Sequence, residues 1–389
     1  MKKIILYLIL TSLPYFIVAQ SERKPSRIGI FAPLYLDSVF EGPVYKFGKK
    51  FPRFAVQGMN FVQGAQIAID SFSIHDALME TFIFDSEADS LNIKFLINTH
   101  QIDDLDLIIG AVKDAEFTEL AAFAKRKKIP FLSATHPNDG GVTSNPYLIM
   151  LNPTLKSHCQ AIFGYLLQHQ DSGKILHVRQ TGSQEDRVAD YFNNINNPDN
   201  KALLNIKTVT LDSNFYLIKN SLDSNKKNII IGGSLDEEFA NTLFTTLKSI
   251  DKKYNITLFG MPNWEGFGSI EKKSKDLPKN IAYVYTSSYF NEKVDSMSKI
   301  LQEIYLRNYK GRPSEYVYKG FEIMYNFSRI LNTYPDDFLS HINDNQFQLF
   351  TAYKIIPIKV SKNSTSTDYL ENKHLYFLKK SNGIVIKAP

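Results

Sequence analysis

Residues 105–134 read LDLIIGAVKDAEFTELAAFAKRKKIPFLSA, and the rest of the chain is organised around them. The apolar run at 107–109 predicts a strand buried on both faces of a parallel sheet, and Gly110 ends it where the backbone must turn sharply. Apolar residues then recur at helical spacing over 115–127, before a proline that blocks any longer helix. Because 131–134 (FLSA) predicts a second strand, the stretch forms a complete βαβ unit.

The same alternation of strand and helix runs along nearly the whole chain. The first strand is predicted at 27–34 (RIGIFAPL). Further strands are predicted at 79–84, 147–151, 174–179, 204–211, 228–231, 256–260, 281–285, 347–360 and 375–387, the last as a hairpin around 381–383. Helices are predicted at 58–72, 91–99, 155–169, 184–195, 215–222, 236–250, 292–309 and 314–331. Such alternation predicts an α/β protein with doubly wound parallel sheets.

Loops at the carboxyl ends of the strands are the expected ligand sites, because open α/β sheets bind ligands there. In this chain those loops include 111–114 and 135–141. Tyr35 and Asp37 follow the first strand at the expected mouth of a cleft. They begin a long loop, 35–55, rich in Gly, Pro and aromatic residues, and a loop of that length is often functional.

The N-terminus predicts the compartment. Lys2 and Lys3 precede an apolar run over 4–18 and the small residue Ala19. This pattern is typical of a secretory signal peptide over residues 1–19, with cleavage before Gln20. No later segment is long and apolar enough to span a bilayer, and no cysteine follows the cleavage site to carry a lipid.

Charge and cysteine content exclude several classes of function. The net charge of +5 falls to about +3 without the signal peptide, and the basic residues form no stripe that would bind nucleic acid. Cys159 is the only cysteine, so the chain has no internal disulfide, and its apolar helical context predicts a buried thiol.

Motifs for catalysis and cofactor binding are missing from the sequence. It contains no phosphate-binding loop, no dinucleotide fingerprint, no histidine pair spaced for zinc, no G-x-S-x-G elbow and no calcium loop. We therefore predict a protein without a cofactor that is not an enzyme. A hydrolase assembled from distant Ser, His and Asp residues would carry no such motif and stays open.

Several segments, taken in order, resemble one known family. They are 28–34 (IGIFAPL), 64–70 (GAQIAID), 108–110 (IIG), 129–133 (IPFLS), 145–147 (NPY), 152–154 (NPT) and 311–313 (GRP). Their order and spacing are similar to those of the type I periplasmic binding proteins, in the branched-chain amino-acid receptor branch. The resemblance covers nearly the whole chain after the signal peptide.

This resemblance implies two doubly wound parallel-sheet lobes, joined by a three-strand hinge, that close on a ligand. Lobe 1 would comprise 25–151 and about 283–330. Lobe 2 would comprise 152–282 and about 331–389. The family's proteins bind solutes and catalyse no reaction.

The resemblance also implies where a ligand would bind. Family members hold the α-carboxylate of an amino acid in the loop after the Ile-Gly strand, and its ammonium with an acid from the second lobe. The implied ligand-binding residues are Tyr35, Asp114, Ala115, Thr135, His136, Glu237 and Tyr289. Asp114 stands where the family has serines, and it would repel a carboxylate unless Lys113 neutralises its charge.

Several candidate residues also have a purely structural interpretation. Asp114 and Glu116 could complete a local helix cap, and Glu237 could compensate a helix dipole. Tyr289 and the single tryptophan, Trp264, could form aromatic platforms in a cleft or pack in the core.

The function predicted from the sequence is that of a secreted, periplasmic solute-binding protein. It would capture a small polar ligand, amino-acid-like or related, for a membrane permease or a sensor. The alternative is a binding-protein fold used as an interaction module in the cell envelope, without a small ligand. The missing serines and the long loop 35–55 favour that alternative, whereas the continuous two-lobe pattern and Glu237 favour a receptor.

Overall fold

The computed structural model describes residues 24–72, 79–169, 173–211, 215–250, 252–360, 366–381 and 384–388. The predicted signal peptide lies outside these residues. The chain folds into two α/β lobes, each built on a seven-stranded sheet. None of the helices among the described residues is both long and apolar enough to cross a membrane.

The first part of the chain builds most of the first lobe. Its elements are β1 (Ser26–Ala32), α1 (Leu36–Val39), β2 (Phe40–Glu41), β3 (Val44–Tyr45), a 3₁₀ turn (Arg53–Ala55), α2 (Val56–Phe72), β4 (Met79–Asp85), α3 (Ile93–Asn98), β5 (Leu107–Gly110), α4 (Asp114–Lys127), β6 (Phe131–Ser133) and β7 (Leu148–Met150).

The second part builds the second lobe. Its elements are α5 (Leu155–Gln168), β8 (Lys174–Arg179), α6 (Ser183–Asn196), β9 (Ile206–Thr210), α7 (Tyr216–Ser221), β10 (Lys227–Gly232), α8 (Glu237–Lys248), β11 (Asn255–Phe259), a 3₁₀ turn (Pro262–Gly266), α9 (Gly268–Lys275) and β12 (Ile281–Ser287).

The last part returns to the first lobe and then ends in the second. Its elements are α10 (Ser296–Tyr309), α11 (Glu315–Thr333), β13 (Ile355–Ile358), β14 (Tyr369–Asn372), β15 (Tyr376–Ser381) and β16 (Ile384–Lys387). The first sheet has the order β13-β14-β7-β6-β5-β1-β4, and the second has the order β16-β15-β12-β11-β10-β8-β9. The chain therefore crosses between the lobes three times, after β7, β12 and β14.

The βαβ unit predicted at the centre of the first lobe is confirmed. Strands β5 and β6 pair in parallel, with Ile108 beside Phe131, and β5 also pairs in parallel with β1. All four residues of β5 are buried. The helix between these strands, α4, packs its apolar face into the lobe, and that face comprises Phe117, Leu120, Ala121, Phe123 and Ala124.

The pairing of the later strands differs from the predicted lobe boundaries. Residues 283–287 belong to β12 in the second sheet, although the boundaries implied by the resemblance place them in the first lobe. Residues 355–372, expected in the second lobe, supply β13 and β14 to the first sheet. The physical reason is the parallel pairing of β14 with β7, which places Leu370 beside Ile149.

Several element boundaries also differ from the prediction. The strand expected over 347–360 is confined to β13, and β14 was not predicted. Helix α10 begins at Ser296 because the Asp295 side chain caps it, accepting a hydrogen bond from Ser298 N at 2.8 Å. The loop 35–55 contains α1, the β2–β3 hairpin and a 3₁₀ turn. The predicted C-terminal hairpin pairs as expected, while its tip at 382–383 lies outside the described residues.

Cys159 lies on α5 in the core of the second lobe and is fully buried. Burial raises the pKa of its thiol to about 12. The thiol is therefore protonated at neutral pH and packs as a small apolar group, which confirms the buried thiol predicted from the sequence.

Helices α2 and α11 of the first lobe cross at very short range. A Cβ at Gly64 on α2 would lie 2.0 Å from the carbonyl oxygen of Val317 on α11. A Cβ at Gly320 on α11 would lie 2.0 Å from the carbonyl oxygen of Phe61 on α2. Because carbon and oxygen atoms cannot approach so closely, glycine at both positions lets the two backbones pack together.

Substitution of either glycine at this crossing is expected to weaken the fold. Gly320→Ala or Gly64→Ala would push the helix backbones apart and lower the free energy of unfolding by about 1–3 kcal/mol, measured by urea denaturation. Gly164→Ala on α5 is the matched control, because a Cβ there meets nothing within 4 Å. That control should raise stability by about 0.5–1 kcal/mol through helix propensity. Equal effects at all three positions would contradict the close crossing.

The Glu322 carboxyl group is buried on α11. Its Oε1 atom accepts hydrogen bonds from the backbone N–H groups of Phe350, at 2.8 Å, and Thr351. Its Oε2 atom has no hydrogen-bond partner among the described residues. Burial is the main cause that raises the pKa of this carboxyl from 4.5 to about 7, against the lowering effect of the hydrogen bonds.

This raised pKa predicts that stability falls as pH increases. Between pH 4.5 and about 7 the folded protein binds a proton at Glu322 that the unfolded chain has released, so stability is lost as pH rises through this window. Glu322→Gln keeps the acceptor oxygen without the charge. Relative to the native protein, the free energy of unfolding of this variant should be higher by at most about 3 kcal/mol at pH 8 and unchanged below pH 4, measured by denaturation across pH. An increase of the same size at pH 4 and pH 8 would contradict this assignment. The control is Glu303→Gln, at an exposed position of α10.

Candidate functional site

A cavity of about 1220 Å³ lies between the two lobes and is lined by residues from both. The first lobe contributes the loop 137–141 after β6, Glu315 and Lys319 on α11, and parts of β13 and β14. The second lobe contributes the starts of α5 and α6 and the turn after β11. Segments of all three crossovers line the cavity as well. The cavity therefore lies where a movement of one lobe against the other would change its width.

A hydrogen-bonded cluster around Glu371 links the lobes beside this cavity. The carboxylate, on β14 of the first lobe, accepts hydrogen bonds from Thr154 N at 2.7 Å, Thr154 Oγ1 at 2.8 Å and Ser157 Oγ at 2.6 Å, at the start of α5. Lys373 Nζ lies 2.6 Å from its second oxygen. Burial alone would raise the pKa of Glu371, but Lys373 and the hydrogen bonds together lower it below the usual value.

Two further hydrogen bonds connect residues at or beside the crossovers. His158 on α5 is buried, and its Nδ1 atom lies 2.7 Å from Thr286 Oγ1 on β12. Burial lowers the pKa of His158 to about 4, so the ring is neutral at pH 7. Ser288 Oγ donates a hydrogen bond to Asn152 Oδ1 at 3.1 Å, which joins the second crossover to the first.

A carboxyl group of the second lobe and an ion pair of the first lobe line the same cavity. Glu265, in the turn after β11, accepts a hydrogen bond from Tyr285 OH at 3.0 Å. On the first lobe, Lys319 Nζ lies 3.3 Å from Glu315 on the same helix. Burial is the largest cause that raises the pKa of Glu265, and the charge of Glu315 raises it further, while Tyr285 and Lys319 act in the opposite direction.

Further cationic groups line the second-lobe side of the cavity. Lys156 on α5 and Arg187 on α6 are exposed within it, and neither forms an ion pair with another residue that the structure describes. Opposite them, Asp139 of the first lobe accepts hydrogen bonds from Tyr369 OH and Gly141 N, each at 3.0 Å. Groups of both charge signs are thus available to a small polar molecule.

The residues predicted after the first and third strands of the first sheet lie at its carboxyl edge. Tyr35 has a left-handed backbone with φ 55°. Burial is the largest cause that raises the pKa of its hydroxyl, and the nearby Glu87 carboxylate raises that pKa further. Asp114 and Ala115 are exposed at the start of α4, where Asp114 also has a positive φ of 48°. None of these three residues lines the cavity.

The residues predicted after β6 are held by the first lobe. The buried His136 ring stacks on Phe117 with ring centres 4.1 Å apart, and its Nε2 atom lies 3.2 Å from Asn138 Oδ1. Burial lowers the pKa of His136 more than that hydrogen bond raises it. Thr135 is half-buried, and its carbonyl accepts a hydrogen bond from Asn152 at 3.3 Å. The cavity lining begins one residue later, at Pro137.

The remaining predicted residues also lie outside the cavity lining. Glu237 accepts a hydrogen bond from the Ser269 hydroxyl and lines a separate depression on the second lobe. Tyr289 is buried beneath Lys319, whose Nζ lies 5.3 Å from the ring centre. Trp264 is fully buried and donates a hydrogen bond to the Ser234 carbonyl at 2.8 Å, so it is a core residue. The ligand-binding roles of the seven predicted residues stay predictions.

The cavity contains charged residues that the sequence analysis did not select. Glu265 follows β11 by a short turn, so the rule that ligands bind at the carboxyl ends of strands could have identified it. Glu315 and Lys319 are different, because they lie on a helix whose position over the cavity depends on the second crossover. Their local sequence carries no signal for this role.

Comparison with known proteins gives results at the level of structure only. No family model matches the sequence. No curated protein matches it either. Solved structures, in contrast, superpose along nearly the whole chain.

Three of these structures are described as transporter proteins. One, from Rhodospirillum rubrum and assigned provisionally to a branched-chain amino acid ABC transporter, has a TM-score of 0.67 at 10% identity, over 94% of this chain and 100% of that chain. A branched-chain amino acid ABC transporter periplasmic ligand-binding protein from Burkholderia xenovorans has a TM-score of 0.61 at 12% identity, over 94% of both chains. An ABC transporter substrate-binding protein from Desulfitobacterium hafniense has a TM-score of 0.59 at 11% identity, over 94% and 100%.

At identities this low, the likeness concerns the fold. It extends over both lobes and their two mostly parallel sheets. The chain therefore has the two-lobed fold of the type I periplasmic binding proteins.

Proposed function

We propose that this is a secreted, periplasmic solute-binding protein that captures a small polar ligand between its lobes for a membrane permease or a sensor. No bond would be made or broken in this function. A ligand that contacts both lobes would instead stabilise a closed arrangement over an open one.

One observation carries this proposal. The cavity between the lobes, about 1220 Å³ in volume, is lined by polar and charged groups from both of them. A ligand in that cavity could contact Glu265 and Arg187 on the second lobe together with Lys319 on the first. Since contacts with both lobes are what couple binding to closure, the geometry suits a receptor.

The charges of the cavity support a proposal for the type of ligand. Cavity groups of both signs favour a small molecule that carries both kinds of polar group, such as an amino acid or a related compound. A substrate-binding protein with this fold, from Desulfitobacterium hafniense, was solved in complex with Leu, at 12% identity and a TM-score of 0.57. An aliphatic side chain such as that of Leu needs no charged partner, whereas charged groups from both lobes line this cavity.

The second candidate is an interaction module of the cell envelope without a small ligand. The observation that favours it is the number of cavity groups that already have protein partners. Glu371 is bonded to Lys373 and to the start of α5, Glu315 is paired with Lys319, and Asp139 is bonded to Tyr369. A screen for ligands separates the two candidates.

A thermal-shift screen of amino acids, small peptides, sugars and organic acids tests the proposal. A ligand that binds only the folded protein stabilises it by about 2.7 kcal/mol at a hundredfold excess over Kd. We expect at least one class to raise the Tm in proportion to the logarithm of its concentration. A flat screen of the folded protein would instead favour the interaction module.

Variants then locate the ligand. Glu265→Gln on the second lobe and Lys319→Gln on the first should each weaken binding roughly tenfold to a hundredfold, measured by calorimetry, if the ligand makes charged hydrogen bonds to both. Glu303→Gln on exposed α10 is the control. Loss of binding in Asp114→Ala and Glu237→Ala, with Glu265→Gln unaffected, would place the ligand at the positions implied by the family resemblance.

A further inference from the structure

The loop between β1 and α2 exposes an unusual surface. We call residues 40–54 (FEGPVYKFGKKFPRF) the basic aromatic loop. Large apolar side chains of this loop are strongly exposed to solvent, namely Phe40 at 39%, Val44 at 64%, Phe47 at 40%, Phe51 at 43% and Phe54 at 48%. Exposed phenylalanines concentrated in one segment mark a surface that meets an apolar phase or a partner.

Four aromatic rings of the loop, those of Phe40, Tyr45, Phe47 and Phe54, form one connected cluster. The ring centres of Phe40 and Tyr45 are 5.6 Å apart, those of Tyr45 and Phe47 are 6.1 Å apart, and those of Phe47 and Phe54 are 6.0 Å apart. The cluster ends at Tyr35, whose ring centre lies 5.0 Å from that of Phe54. Three of the exposed phenylalanines, Phe40, Phe47 and Phe54, therefore belong to one ring cluster.

The loop is also held in shape by hydrogen bonds. Strands β2 and β3 pair within it, and Tyr45 OH donates to the Lys50 carbonyl at 2.6 Å. At its base, the Asp85 carboxylate accepts the backbone N–H groups of Leu34, Tyr35 and Leu36 at 2.7–3.1 Å. The apolar side chains are thus presented outward by a bonded framework.

Cationic side chains are interleaved with the aromatic ones. Lys46, Lys49, Lys50 and Arg53 are exposed, and the only carboxylate of the loop is Glu41, so its net charge is +3. None of these four cations forms an ion pair with another described residue. Lys46 donates instead to the Asp37 carbonyl at 2.9 Å. The positive charge remains available to an anionic partner.

From this combination we infer that the basic aromatic loop binds the surface of an anionic lipid bilayer. Phenylalanines would enter the boundary between headgroups and acyl chains, while the lysines and the arginine contact lipid phosphates. A second copy of this chain fits less well, because two loops of charge +3 would repel each other. The inference does not depend on whether the cavity between the lobes binds a solute.

Vesicle flotation tests this inference directly. The probe is the protein starting at Gln20, because the apolar segment 4–18 would itself bind lipid. It is mixed with vesicles of phosphatidylcholine alone or of phosphatidylcholine with phosphatidylglycerol. We expect binding to the anionic vesicles and at least about tenfold weaker binding to the neutral ones. That binding should fall when salt rises from about 0.05 M to about 0.5 M.

Two loop variants separate the apolar and the electrostatic contributions. Phe47→Ser/Phe51→Ser and Lys49→Glu/Lys50→Glu should each reduce the partition coefficient at least about tenfold while leaving the Tm nearly unchanged, since these side chains are exposed. Matched controls on the second lobe are Tyr216→Ser/Leu217→Ser on α7 and the charge reversal Lys226→Glu/Lys272→Glu. Both controls should retain binding.

Other outcomes would overturn the inference. If the loop variants and the controls lost vesicle binding equally, binding would depend on the protein's total charge and total apolar surface and not on this loop. No binding to anionic vesicles would also overturn it. If the protein then sedimented as a dimer that Phe47→Ser/Phe51→Ser dissociates, the loop would be an interface between copies.

Discussion

The parallel pairing of β14 with β7 is the contact on which the two-lobed arrangement depends. Leu370 joins Ile149 in the first sheet only after the chain has completed five strands of the second. This pairing follows the second crossover, after β12, and brings Glu371 to the start of α5. There the buried carboxylate accepts hydrogen bonds from Thr154 and Ser157, as a buried charge must to be stable. The first lobe is thereby joined to the second beside the cavity.

Much of the fold could be predicted because its central strands are buried on both faces. Strand β5 is an uninterrupted apolar run, and the helix that follows it has a regular apolar face, so local pattern and final structure agree. Strand β14 (YLEN) could not be predicted in the same way. Glu371 and Asn372 are polar yet buried, because their partners come from residues more than 200 positions away or from the neighbouring crossover. Strand formation there depends on tertiary pairing rather than on local preference.

The site was predictable to a smaller extent than the fold. The loops at the carboxyl ends of the strands could be predicted from the sequence. The loop after β6 reaches the cavity from Pro137 onward. Exact residues were not predictable, because His136 is held by stacking on Phe117 and Glu237 by a hydrogen bond to Ser269. These contacts come from parts of the chain that no local pattern places beside them.

The electrostatics of the cavity are consistent with a site that gains from a bound cation. Glu265 and Glu315 belong to different lobes, and each lies within the field of the other, so the pKa of Glu265 is raised by burial and then by the second charge. Lys319 offsets only part of this repulsion from its position beside Glu315. Under the proposed function, a ligand ammonium group between the two carboxylates would replace repulsion with attraction on both lobes at once. A ligand that contacts both carboxylates would therefore favour the closed arrangement of the lobes.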